Sequence, residues 1–204
     1  QAPTTSRFNL VSMPDRHVFL FGTETTIGDA TTRDDLFFRF SSQEDFTTWT
    51  PTATNTSGSF RIQDGSKIVA AVRSRNAVLV WTDNSLHALQ FVGAPFTFSL
   101  VELGANCGAV GVHSAVDING VAYWMSPKGF FAFDGTVNSL PCSLEDDVYD
   151  NIDTTKGQQI NAGINNLFTE VTWWYPTSGS DFNNRYVVYN YGTNNNPLPM
   201  GNWY

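Results

Sequence analysis

One pattern recurs four times in this chain: a strand-like run, a turn, then a second run with a valine and an aromatic residue three positions apart. The pairs are Val18 with Phe21, Val78 with Trp81, Val121 with Trp124, and Val171 with Trp174. The turns before them are Asp15-Arg16, Arg75-Asn76, Asn119-Gly120 and Asn165-Asn166. A further aromatic strand follows each pair, such as Leu36 to Phe40, Leu86 to Phe91, Phe130 to Phe133 and Tyr186 to Tyr189. Self-similarity at about 40–50 residues, carried by strands, is the signature of propeller blades. The repeat predicts an all-β fold of about four antiparallel β-propeller-like blades. Residues 1–204 then form one such domain, or a piece of a larger propeller in a longer protein; an opening without Met and an aromatic last pair, Trp203-Tyr204, favour a fragment.

Composition agrees with that class. Aromatics make up 14% of the chain and charged residues only 15%, a balance suited to pleated, half-buried faces and unlike that of disordered chains. With 11 basic and 19 acidic residues the net charge is −8. No basic run appears, so a grip on nucleic-acid phosphates is not expected. No apolar stretch is long enough to span a bilayer, and stable membrane insertion is not expected.

The clearest unit runs from Ile68 to Leu103, with four strands joined by short turns. The next repeats it around Asn119-Gly120, the strongest short hairpin signal. Aligning Asn76 with Asn119 places Val78 on Val121 and Trp81 on Trp124. That match assigns Val78, Trp81, Val121, Trp124, Val171 and Trp174 to a packing motif between blades, leaving Trp49 and Trp173 as the candidate exposed rings. Residues 1–14 read as an extended lead-in, residues 23–35 as a polar loop, and residues 43–60 as a Thr/Asn/Ser-rich insertion. Residues 143–152 read as one short helix with Ser143 as its cap and acids in its first turn. Thr193 to Pro199 reads as a loop ahead of a last strand at Trp203.

Residues with chemical potential are few. His17, His87 and His113 lie far apart, with no metal-ligand spacing. Glu44-Asp45 and Glu145-Asp146-Asp147 are the acid clusters; Asp45 with Glu145 is the pair a glycosidase reading would need, and solvated turn acids are the competing account. Cys107 and Cys142 are either two reduced thiols or one disulfide. No catalytic, cofactor or metal residue emerges.

Several segments carry a family resemblance. They are Asp45 to Gly58, Ile68 to Phe98 (with Arg73-Ser74-Arg75, Val80-Trp81-Thr82-Asp83 and Phe91 to Phe98), Gly120 to Met125, Phe133-Asp134-Gly135, Leu140-Pro141-Cys142 and Arg185 to Tyr191. Together they resemble the nozzle, or tail tubular protein B, family of podovirus-type bacteriophages and the related packaged-DNA stabilisation proteins. The likeness runs from about residue 40 onward. It implies a non-enzymatic virion component, assembled in the host cytoplasm as a hexameric ring in a short tail. Such a ring contacts the tail adaptor and other tail proteins, retains the packaged genome and conducts DNA without binding it specifically. The competing expectation is a carbohydrate- or receptor-binding propeller module, with exposed aromatic rings as its sugar platform.

Overall fold

The computed structural model describes residues 1–13, 15–192 and 202–204. They form four antiparallel sheets of four strands each, every sheet a meander in sequence order. Blade 1 comprises β1 (Phe8–Val11), β2 (Val18–Phe21), β3 (Phe37–Phe40) and β4 (Gly58–Arg61). Blade 2 comprises β5 (Ile68–Arg73), β6 (Val78–Thr82), β7 (Ser85–Gly93) and β8 (Thr97–Ala105). Blade 3 comprises β9 (Ala115–Ile118), β10 (Val121–Ser126), β11 (Gly129–Phe133) and β12 (Val137–Leu140). Blade 4 comprises β13 (Asn161–Asn165), β14 (Glu170–Tyr175), β15 (Arg185–Asn190) and β16 (Asn202–Trp203). The all-β, blade-like architecture expected from the repeat is therefore present.

The strands missed by sequence reading are β4 and β12. Both are outer strands of four residues in which Gly58, Ser59, Arg61, Asn138 and Ser139 leave only Phe60, Val137 and Leu140 apolar, so the apolar signal is diluted. The helix α1 (Glu145–Asn151) is there, but its N-cap is Leu144 with no side-chain cap bond, so Ser143 does not cap it. The acids Glu145, Asp146 and Asp147 do occupy its first turn, where they favour the positive end of the helix dipole. A 3-10 segment at Thr154–Gln159 follows where sequence suggested plain loop; the Asp153 side chain opens it by accepting from the Thr155 amide. The expected loop at Thr193 to Pro199 lies outside the described residues.

Three apolar clusters fill the three spaces between consecutive blades. The first joins blades 1 and 2 around Phe19, Phe21, Phe38, Phe40, Val78 and Val80. The second joins blades 2 and 3 around Leu79, Trp81, Leu86, Ala122 and Trp124. The third joins blades 3 and 4 around Tyr123, Met125, Phe130, Val171, Trp173 and Tyr189, with Val148 of α1 packed in. A strand exposes alternate residues to its two faces. Each interior second strand therefore serves two clusters: Val78 and Val80 look back to blade 1 while Leu79 and Trp81 look forward to blade 3. Among the described residues no apolar cluster joins blade 4 to blade 1. Fully burying a large apolar side chain contributes about 1.5–3 kcal/mol, so these clusters are the main source of the fold's stability.

Candidate functional site

The expected packing motif is the natural starting point, and the structure corrects its register. The turn at Arg75-Asn76 is closed by Ser74 and Ala77, whose Ser74 N–H donates to the Ala77 carbonyl at 2.8 Å. The turn at Asn119-Gly120 is closed by Ile118 and Val121. Both of its central residues have positive φ, as a two-residue hairpin turn of the favoured hand requires. Superposing the turns thus sets Asn76 on Gly120, not on Asn119. Val80, and not Trp81, is the counterpart of Trp124. One residue of slip reverses the face: Val121 looks forward to blade 4, and Trp124 looks back to blade 2.

The consequence is that Trp81 and Trp124 meet from opposite sides of one interface, with ring centroids 5.3 Å apart at 60°. Phe131 stacks on Trp124 at 5.7 Å. Trp124 donates through its indole N–H to the Cys107 carbonyl at 2.7 Å, tying blade 3 to the segment that follows blade 2. Cys107 and Cys142 are both free thiols; burial pushes each up to about 11, which keeps them protonated and unreactive.

A second correction concerns the remaining tryptophans. Val171 is buried as expected, but Trp174 is 41% exposed and does not pack between blades. Its neighbour Trp173 is fully buried, and Trp49 is buried as well, so neither is the exposed ring anticipated. On β14 the residues Val171, Trp173 and Tyr175 alternate toward blade 3, and parity sends Trp174 to the outer face. There it lies over Gly163: a Cβ at that position would come within 2.7 Å of its ring. Trp173 donates its indole N–H to the Ser114 carbonyl at 2.9 Å. Trp49 donates to the Phe46 carbonyl at 2.7 Å, folding the 43–60 insertion on itself.

Tyr186 pairs directly with Trp174 across the sheet and is 64% exposed. Sequence reading missed it as an outer-face residue. The alternation in Tyr186-Val187-Val188-Tyr189 held the signal, since Val187 and Tyr189 enter the core and Tyr186 cannot.

The acid clusters do not converge on a reaction centre. Asp45 accepts from the Thr47 hydroxyl at 2.6 Å and the Thr47 amide at 2.8 Å. These bonds, with help from Thr48, hold its carboxyl down to about 2, the state of a turn-capping anion and not of a proton donor. Glu44 pairs with Arg16, and Asp147 pairs with Arg185 at 3.0 Å, tying α1 to β15. Among the described residues no group of three His, Cys, Asp or Glu side chains is placed to hold a metal. No described helix is long and apolar enough to cross a membrane.

Two histidines are buried. His87 bonds Ser85 through Nε2 at 2.9 Å, and Ser85 is in turn 2.9 Å from the Thr82 hydroxyl. A hydroxyl beside an imidazole has the parts of a nucleophile and base. Yet Ser85 is fully buried and both of its contacts lie within blade 2, so it braces the β6–β7 turn. His17 reaches the Thr56 hydroxyl through Nε2 at 3.2 Å, while its Nδ1 has no partner. Phe98 and Phe91 lie 5.0 and 5.9 Å from its ring. Burial lowers the pKa of both imidazoles, only partly opposed by Asp15 at His17 and by Glu102 and Asp64 at His87. His113 is exposed, and its backbone carbonyl accepts from Ala162 at 2.7 Å, linking blades 3 and 4.

A buried polar knot sits behind blade 1. Glu24 is fully buried and accepts from the Thr4 amide and hydroxyl and the Gly28 amide. Burial alone would raise its carboxyl pKa, but these bonds and the Arg39 charge outweigh it and leave it low. Arg39 donates to the Glu24 and Thr25 carbonyls and lies over the Phe37 ring at 5.1 Å. The polar 23–35 loop is thereby fastened to one side of blade 1.

A groove of about 370 Å³ between blades 2 and 3 is lined by Arg75, Leu79, Gln90, Asn119, Phe133 and Asp134. Arg75 spans it by donating to the Asn119 carbonyl at 2.9 Å. No protein-family model matches the chain, and no curated protein matches it.

Proposed function

We propose that this chain is a structural component of a short bacteriophage tail. In this reading it builds a ring that retains the packaged genome and conducts DNA during ejection. The observation that carries the reading is the resemblance from about residue 40 onward. Its quoted segments cover the 45–58 insertion, β5 to β7 with the start of β8, β10, the last residues of β11 and β12, and β15.

Charge supports the same role. With 19 acidic against 11 basic residues, the surface repels phosphate over about a Debye length, roughly 8–10 Å. A conduit must let DNA slide, and a wall of net charge −8 offers no clustered cations to hold it. The work of the chain is mechanical, and its partners are other copies, the adaptor and neighbouring tail proteins. The test is immunogold labelling of virions of the encoding phage with an antibody against this chain. Gold at the short tail is expected; gold on the capsid, or none on the particle, refutes the reading.

The exposed rings Trp174 and Tyr186 favour one alternative, a sugar-stacking receptor module. A glycan array separates the two, because a conduit gives no specific sugar signal.

A further inference from the structure

All four blades send the entry of their first strand to one place. Arg7 immediately precedes β1, and Lys67 holds the same position before β5. Residues 110–112 lead towards β9, and the 3-10 segment Thr154–Gln159 leads into β13. These four entries line a recess of about 130 Å³, with Arg7, Lys67, Thr154 and Gln158 among its side chains. It has room for several waters, which suits one small oxyanion and not a nucleic-acid strand. Two of its lining residues are glycines in backbone contact. A Cβ at Gly111 would lie 1.9 Å from the Gly157 carbonyl oxygen, and one at Gly157 2.2 Å from that of Val110. The entries of blades 3 and 4 are thereby pressed together, and the recess is held in shape.

The recess carries two cations and no carboxylate among its lining residues, against the trend of a chain with net charge −8. The Arg7 stem packs over Gly22, where a Cβ would come within 2.6 Å of its Cδ, so the guanidinium is held in place. Arg7 donates to Asp35 at 3.2 Å, but Asp35 also pairs with Arg33 at 2.9 Å. Two guanidinium charges thus share one carboxylate. A guanidinium has five N–H donors, and among the described residues Arg7 uses one. Lys67 is exposed, and its ammonium forms no ion pair among the described residues. The flanking acids are engaged elsewhere: Asp83 accepts from the Ser66 amide at 2.7 Å, and Asp153 accepts from the Thr155 amide and hydroxyl. Blade 4 adds neutral donors, the Thr154 hydroxyl and the Gln158 amide.

We propose that this recess binds a small phosphate-type oxyanion, either free inorganic phosphate or the phosphate of a phosphomonoester. Arg7 and Lys67 give it charge-assisted hydrogen bonds from blades 1 and 2, and Thr154 and Gln158 complete its shell from blade 4. The anion links blade 1 to blade 4, between which no apolar cluster lies among the described residues. The site is built from described residues alone. Gly192 and Asn202, on either side of residues 193–201, lie at the other end of blade 4, against Thr169 and paired with Asn190. The proposal does not depend on the tail reading.

Calorimetric titration of the chain with inorganic phosphate, in chloride buffer at constant ionic strength, tests it. Saturable one-site binding is expected for the wild type. Lys67→Gln, at an exposed position, is expected to keep its circular dichroism spectrum and to weaken binding at least tenfold, and Lys67→Arg to restore most of it. Arg73→Gln removes the same charge from the other, exposed end of β5 and is expected to bind as wild type. A phosphorylated sugar as second probe separates the sources. Tighter binding than phosphate assigns the site to a phosphomonoester, equal or weaker binding assigns it to the free anion, and either result supports the proposal. No saturable binding of either probe overturns it. So does binding that Lys67→Gln leaves unchanged, or that Arg73→Gln weakens as much as Lys67→Gln does.

Discussion

Truncating two adjacent tryptophans should give very different results. Trp173 is fully buried, lies tilted against Phe130 at 5.1 Å, stacks with Trp203 at 6.0 Å, and donates to the Ser114 carbonyl at 2.9 Å. Replacing such a ring by alanine costs about 3–5 kcal/mol from lost burial and the cavity left behind. The Ser114 carbonyl also accepts from the Met125 amide at 3.1 Å, so it keeps one partner and adds little further penalty. For a chain of this size each kcal/mol lowers Tm by roughly 2–4 °C, so Trp173→Ala should melt about 6–20 °C below wild type. Trp174 is 41% exposed, with one face on Gly163 and the other open. Losing its partial cover costs about 1 kcal/mol or less. The assay is thermal unfolding followed by circular dichroism, with urea unfolding for the free-energy difference. Equal losses for the two variants, or a larger loss at Trp174, would refute this assignment of faces.

Other outcomes follow from the same geometry. His17 is buried with its pKa held below 6.5, so the unfolded chain binds the proton more readily, and stability falls as pH drops through about 6.5. His87 adds to the same trend, and His17→Leu should flatten the acid side of a Tm-versus-pH curve without abolishing it. Buried Cys107 and half-buried Cys142, both pushed up to about 11, should resist iodoacetamide at pH 8 in the folded protein and react once it is unfolded in urea; rapid labelling of both thiols in the native chain would contradict this. Gly163→Val should lift the Trp174 ring off the sheet and red-shift its fluorescence, with little change in urea midpoint.

Much of the architecture was legible in the chain itself. Strand-length apolar runs, Asn119-Gly120 and the recurrence of aromatic strands pointed to four antiparallel units, because pleated sheets and tight turns are local consequences of residue type. The helix near residues 143–152 was readable for the same reason, from Leu144, Val148 and Ile152 spaced four apart.

What the sequence could not settle was which way each side chain faces. Val78–Trp81 and Val121–Trp124 look identical as text, yet they belong to opposite faces, because the closing pair of a turn depends on backbone geometry and not on the identity of Asn. A shift of one residue in a strand exchanges core for surface, so Trp173 and Trp174 traded places relative to expectation. The buried Glu24–Arg39 knot was also invisible, since residues 15 apart in sequence are joined only when the 23–35 loop folds onto blade 1. The alternation of residues within each strand was written in the primary structure; which neighbour covers each face was decided by packing.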